Sequence, residues 1–448
     1  MKIKLTRANV TVFLMCLLVF LNMEPYFVWS HIAPIGYTLY TGIILVTTLA
    51  MALATITKRL AMGRPQELTD QNEIPLVLVL TSTGFVLLIL YQIFLSGAVT
   101  RSAQPFNMAM ILIHIGLMLF CLQDHVSLQK VFLITKKIFA ATLIPAIIIF
   151  ILTNIGVPLF SVSLSADAGK ELTGQSYELY MGIAVILKNR SGELPRLCGL
   201  FREPGFVGTV GAFYLLGDKF NLKKWENLSI FIACICTFSV AFYVLLICGI
   251  LLKTVMSSTT PKKLVSGIIT TVLLVSAYLV FINVPLAPSS PFSELQERLT
   301  LTEDGLAGDN RMTDEYAIAA YKSWANSDTK TILLGYGEDT RKIPGTEIDI
   351  WQMAHSIKEY IFEYGVLSLL IMVATFVFST LVKYSGVKGV PKRYILVLLA
   401  VFIFSIYQRY SVCTFFYLCL LFGGASNLAL SGTGPQKNRM KNNCEVIN

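Results

Sequence analysis

Apolar residues in this chain gather in long runs with short polar breaks between them. The runs cover roughly 10–23, 35–56, 74–95, 106–122, 138–158, 205–217, 228–252, 264–284, 357–381, 394–407 and 411–428. A helix needs about 20 apolar residues to cross the hydrocarbon core of a bilayer, and several of the runs reach that length. The first run follows Lys2, Lys4 and Arg7, as the core of a signal peptide would. It ends in Asn22-Met23-Glu24-Pro25, with no small-residue cleavage site, and reads as an uncleaved first span.

The basic residues orient the runs. Lys and Arg concentrate in 1–9, 57–73, 123–137, 218–227, 253–263, 382–393 and the C-terminal tail, whereas the short connections between those segments hold only Arg101 and Arg409. Positive charge stays on the cytoplasmic side of a membrane, so both termini and the basic segments are expected there. As a single span, 228–252 would carry Lys253, Lys262 and Lys263 to the outside. Two short helices broken near Thr237-Phe238-Ser239 keep them inside, and such a break needs other helices or a cavity around it. The same reasoning splits 394–428 at Gln408-Arg409-Tyr410. The expected fold is all-α: one polytopic bundle of about 12 membrane helices over 1–430, with two longer outer loops at 160–204 and 285–356 and a polar cytoplasmic tail at 431–448.

Composition narrows the class. Hydrophobic residues make up 55% of the 448 residues and charged residues 14%, against about 45–50% and about 25% in soluble domains. A soluble enzyme and a disordered chain are excluded. Nine cysteines, mostly inside apolar runs, exclude a disulfide scaffold. The net charge of +9 is explained by the cytoplasmic segments, which leaves nucleic-acid binding without support. The 285–356 loop holds six basic and twelve acidic residues, and a loop of that length usually has a function.

Three clusters could carry chemistry. The densest is Arg196-Leu-Cys-Gly-Leu-Phe-Arg202-Glu203-Pro204-Gly205. Proline suits the first turn of a helix, where its missing N–H is not needed, so a membrane helix should start at 204–205. The N–H groups and partial positive charge of that start, with two guanidiniums beside them, form an anion site at head-group depth. The plainer alternative is that the arginines anchor at the interface and Glu203 pairs with them. In the second cluster, His355, Glu359 and Glu363 recur every four residues, on one helix face. A His–carboxylate pair there could accept a proton; the alternative is a structural set. The third is Arg311, ahead of an amphipathic stretch through Met312, Tyr316, Ala319, Ala320 and Trp324 to Leu334-Gly335-Tyr336-Gly337. Simple packing accounts best for that stripe. Arg409 either anchors at the outer interface or joins the arginines. No phosphate-binding P-loop, nucleophile elbow or zinc spacing is present, so neither a metal nor another cofactor is expected.

In order along the chain, Arg196-x-x-Gly199-x-Phe201-x-Glu203-Pro204-Gly205, Arg311-x4-Tyr316 through Trp324 to Gly335-Tyr336-Gly337, and His355 with Glu363-Tyr-Gly365 resemble the motifs of the O-antigen polymerases and ligases of bacterial surface-polysaccharide assembly. The resemblance covers about 190–380 by motif and the whole chain by topology. It implies a GT-C-type glycosyltransferase of the bacterial inner membrane whose partners are membrane lipids, oligosaccharides on undecaprenyl diphosphate and, as a candidate, a chain-length regulator protein. A polymerase moves the growing chain onto the next lipid-linked repeat unit; a ligase moves the finished chain onto lipid A–core. The Arg-x-x-Gly-x-Phe-x-Glu-Pro pattern favours the polymerase. One departure stands out: relatives follow the helix break with Ser-Arg, and here Ser239 precedes Val240. On this reading Arg196, Arg202, Arg311 and Arg409 hold the diphosphate. His355 or Glu203 takes the acceptor's proton, and Glu359 and Glu363 support. A lipid-linked oligosaccharide flippase is the competing class, because broken helices also mark transporters.

Overall fold

The computed structural model describes residues 7–29, 32–36, 125–165, 175–189, 195–256, 261–286, 315–336, 357–385, 392–408 and 415–432, with scattered positions within 38–46, 83–91 and 293–306. The described chain is mostly helical. Helix α1 spans Arg7–Asn22, α2 His125–Asn154, α3 Pro204–Gly217, α4 Trp225–Cys236, α5 Val240–Met256 and α6 Pro261–Asn283. Two short helices, α7 (Glu315–Ala325) and α8 (Thr329–Leu334), precede α9 (Ile357–Ser385), α10 (Lys392–Gln408) and α11 (Phe415–Gly432). Two of the helices, His125–Asn154 and Ile357–Tyr384, are long and apolar enough to cross a membrane. Most of the runs at 35–56 and 74–95 and all of 106–122 lie outside the described residues, so the count of about twelve spans reaches beyond them.

An all-helical reading needs correction at 160–204. This segment folds as a four-stranded antiparallel meander, β1 (Ser161–Leu164), β2 (Gln175–Tyr180), β3 (Ala184–Asn189) and β4 (Arg196–Gly199), in spatial order 1-2-3-4. The reason lies in its alternation. Ala184, Ile186 and Leu197 join the main helical core, whereas Val185, Leu187, Tyr177 and Cys198 pack with Trp29 on the other face. With these positions of β3 and β4 covered on both faces, the two strands lack a regular polar side and resemble a loop tethered between membrane runs. A further two-residue hairpin, β5 (Leu301–Thr302) with β6 (Gly305–Leu306), lies in the second long segment.

The break proposed at 237–239 is present. α4 ends at Cys236, Phe238 takes a left-handed backbone (φ +46), and α5 starts at Val240. The chain doubles back, since the Tyr243 hydroxyl donates to the Ile235 carbonyl (3.2 Å) and Lys253 Nζ to the Lys219 carbonyl (3.3 Å). A second correction concerns 123–137. It is no loop, because α2 already starts at His125. Lys136 is buried and bonded to Asp218 at 2.5 Å and Asn227 at 3.1 Å. Even so, these contacts bring four of the basic segments together at one end: Lys136 to 218–227, Lys253 to Lys219, and both Lys219 and Lys253 to the ring of Tyr394, next to Lys392 and Arg393. The sheet caps the other end, where α3 begins.

Candidate functional site

The corner where β4 turns into α3 carries the first predicted cluster. Gly199 has φ +64, which a side chain rarely adopts, and it turns the chain out of the sheet. Phe201 is fully buried between Phe139 and Phe206, with ring centroids 5.2 and 5.9 Å away. It also bridges to Pro25, and Tyr26 N–H donates to the Leu200 carbonyl at 2.7 Å. Glu203 is the N-cap residue with extended backbone, and Pro204 occupies the first turn, as expected from the sequence. The Glu203 carbonyl accepts from Phe206 and Val207 N–H at 3.1 and 3.3 Å.

The two arginines of this corner reach different neighbours. Arg196 Nε donates to the Thr237 carbonyl at 3.0 Å. That carbonyl lies at the broken C-terminus of α4, where backbone acceptors lack helical partners and a cation is favoured. Arg196 therefore ties the sheet to the α4–α5 break. Arg202 Nη1 stands 3.8 Å from the Glu24 carboxylate, and both side chains are about two-fifths exposed. Glu24 itself has a left-handed backbone (φ +48), and its carbonyl accepts from the Trp29 indole at 2.9 Å.

The second cluster sits on the first two turns of α9. Glu359 and Glu363 are both buried, one helical turn apart. Gly365 interrupts the helix (φ +71), so α9 is two helices joined at a kink. The Tyr360 hydroxyl and Ser368 Oγ, 2.6 Å apart, bracket that kink. α8 locks against the same turn. Asp328 caps α8 by accepting from Thr331 N–H, and Gly335 (φ +79) ends it. Tyr336 N–H donates to the Phe362 carbonyl at 2.8 Å. A Cβ on Gly335 would meet the Glu363 carbonyl, and one on Gly365 would meet the Leu333 carbonyl. Trp324 of α7 packs on Phe362, and Lys358 Nζ lies 5.5 Å from the Tyr321 ring centre.

Thus Arg196, Arg202 and Glu203 share one corner, and Glu359 and Glu363 share one helix start. One hydrophobic cluster, containing Phe201, Val207, Tyr360 and Tyr364, underlies both. Arg311, His355 and Arg409 lie outside the described residues. Among the described residues, no group of three or more His, Cys, Asp or Glu side chains is placed to hold a metal ion. Sequence reasoning missed Glu24 as the partner of Arg202, the Gly335–Gly365 contact, and the buried Lys136–Asp218–Asn227 set. Only the last had a signal: a lysine pair, Lys136-Lys137, entering an apolar run. Comparisons of the chain with models of protein families, with curated proteins and with solved structures found no match.

Proposed function

We propose that this chain is an inner-membrane glycosyltransferase that polymerises oligosaccharide repeat units carried on undecaprenyl diphosphate. The observation that carries the reading is the β4–α3 corner. It carries Arg196 on β4, bonded to the Thr237 carbonyl, and Arg202 two residues before Pro204, which opens the first turn of α3. Such a corner suits a leaving diphosphate: fixed positive charge, with the partial positive charge of the helix start, stabilises the negative charge that develops as the sugar departs. The Arg202–Glu24 pair is long and half-exposed, worth about 0–1 kcal/mol, so phosphate oxygens can replace the carboxylate at little cost.

In this reaction an acceptor hydroxyl oxygen on one lipid-linked unit bonds to the anomeric carbon of the donor chain. The bond from that carbon to the diphosphate oxygen breaks, and undecaprenyl diphosphate leaves with the electron pair. His355, two residues before α9, or Glu203 at the corner, accepts the hydroxyl proton. Arg311 and Arg409 complete the cationic set, Glu359 and Glu363 hold the α9 start, and the reading calls for no metal cofactor. Two further features support a bilayer setting with both termini cytoplasmic: the long apolar helices, and the meeting of the basic segments at the end away from the corner.

The test is a sugar-ladder gel of surface polysaccharide from cells lacking the gene, complemented with wild type, Arg202→Ala or His355→Ala at equal membrane abundance. The reading expects single repeat units on lipid A–core in the deletion and no ladder with Arg202→Ala. Finished polymer accumulating on undecaprenyl diphosphate would replace the polymerase by the ligase. Loss of every surface product, the single-unit band included, would replace it by a flippase.

A further inference from the structure

At the sheet end of the molecule, the β2–β3 turn meets the chain that leaves α2. Exposed isoleucines mark one face of α2. Ile144, Ile148 and Ile151 stand at helical spacing, and Ile155 extends the series one residue past the helix, its N–H donating to the Ile151 carbonyl at 3.0 Å. The chain then runs through the exposed Val157 to Phe160, which is 70% exposed. The Phe160 carbonyl accepts from Met181 N–H at 3.0 Å, so the stripe leads onto the hairpin tip, where Met181 is 52% and Ile183 40% exposed. No charged residue occurs in 138–165 or in 179–187. Met181 and Gly182 hold left-handed backbone angles, φ +52 and +68. In water the first such position of a hairpin turn favours Asn, Asp or Gly, and here an exposed methionine fills it. The tip also bonds its backbone within the protein. Besides Met181 N–H, Ile183 N–H donates to the Tyr180 carbonyl at 2.9 Å, and the Gly182 carbonyl accepts from the Tyr26 hydroxyl at 3.2 Å.

We propose that the tip of the β2–β3 hairpin dips into the adjoining bilayer leaflet and seats the sheet on lipid. The inference rests on the reading that α2 crosses a bilayer, and it is independent of the chemistry at the arginine corner. Lipid that covers Ile148 and Ile151 continues over Phe160 and Met181, because no charge separates the two and apolar surface is driven out of water. A turn enters an apolar medium only with its backbone groups bonded inside the protein, which the bonds to Phe160, Tyr180 and Tyr26 provide. Interfacial elements bury their apolar side by about 5–10 Å, a depth that suits a short turn. A second copy of the chain fits less well, because a specific interface takes about 20–30 residues a side, and the apolar tip falls far short of that. The seat also carries over to the corner. Tyr26 holds the tip through its hydroxyl and the chain before α3 through its N–H, bonded to the Leu200 carbonyl at 2.7 Å. The depth of the tip in lipid thereby sets the depth of Arg202.

The test places a photoreactive benzophenone amino acid, one position at a time, at Met181, Phe160, Ile148 or Lys188 of the full-length chain. Each chain is reconstituted in dioleoyl-phosphatidylcholine vesicles, irradiated and read by intact mass. Ile148 reports the lipid-facing side of α2. Lys188, paired with Ser176 at the far end of the same hairpin and bonded to Glu178 at 2.8 Å, reports the sheet away from its tip. The expected result is phospholipid adducts at Met181 and Phe160 in yields near that at Ile148, and about tenfold fewer at Lys188. The Phe160 position keeps an aromatic side chain, so it reads the tip even where the analogue disturbs the turn at Met181. Adducts at Ile148 with none at Met181 and Phe160 overturn the proposal and put the tip in water, while the bilayer reading stands. Chain-to-chain adducts at the tip overturn it in favour of a second copy. Equal lipid adducts at Lys188 overturn it as well, because the tip would then not be what seats the sheet. No lipid adduct at Ile148 removes the bilayer reading, and the proposal with it.

Discussion

Gly335 and Gly365 meet back to back, each with a left-handed backbone and each with the other segment's carbonyl where its Cβ would be. Left-handed angles cost a side-chain-bearing residue about 1–3 kcal/mol, and the clash adds to that. Gly156 has the same kind of angle (φ +84) with open space around it. Gly365→Ala should therefore lower the melting temperature well beyond Gly156→Ala; equal losses would mean that the contact with α8 contributes nothing. Lys136 and Asp218 present a different residue-scale case. Removing Asp218 strands a buried ammonium, and breaking such a pair costs about 3–5 kcal/mol, so Asp218→Ala should destabilise strongly. Lys136→Met with Asp218→Asn should recover much of the loss. Burial raises the Asp218 pKa, but hydrogen bonds from Lys136, Lys224 and Asn227 outweigh it and leave a net lowering. A carboxyl lowered on folding stabilises fully above its unfolded value, about 3.9, and that contribution is lost as pH falls through the folded value. The melting temperature should drop below about pH 4, and Asp218→Asn should flatten the drop.

At the scale of elements, α3 and α4 are short. With 14 and 12 residues they rise about 21 and 18 Å, less than the about 30 Å hydrocarbon core. On the proposed reading, a corner at their shared end is drawn inward from the outer boundary. Arg196 fastens that end by donating to the Thr237 carbonyl. Hydrogen bonds from charged donors contribute about 1.5–3 kcal/mol. Arg196→Ala should raise hydrogen exchange at 237–239 and leave α2 protected; unchanged exchange at the break would remove Arg196 from this role. The break itself was legible in sequence from the charge at Lys253, Lys262 and Lys263, and the start of α3 from Pro204. The sheet was not. Its third strand is covered on both faces, so the alternation of Val185 and Leu187 against Ala184 and Ile186 shows no polar side. The kink at Gly365 was equally hidden, because a glycine inside an apolar run gives no sign of the carbonyl packed against it.

At the scale of the whole molecule, the basic segments among the described residues and the arginine corner occupy opposite ends, and one hydrophobic cluster runs between them. Charge along the sequence foretold the basic end, although Lys136 turned out to be an internal ion pair and not part of a loop. The candidate site was legible only in part. The arginines stood out because charge is scarce near apolar runs, but their separate partners, Thr237 and Glu24, are far away in sequence. On the proposed function, this chain alone joins lipid-linked repeat units. The most direct test of this is the purified chain incubated with radiolabelled undecaprenyl-diphosphate repeat units, with a chelator present and no lipid A–core or other protein added. The expected result is a ladder of lipid-linked oligomers, reduced at least about a hundredfold by Arg202→Ala. Labelled units that remain single in the presence of well-folded wild-type chain would contradict it.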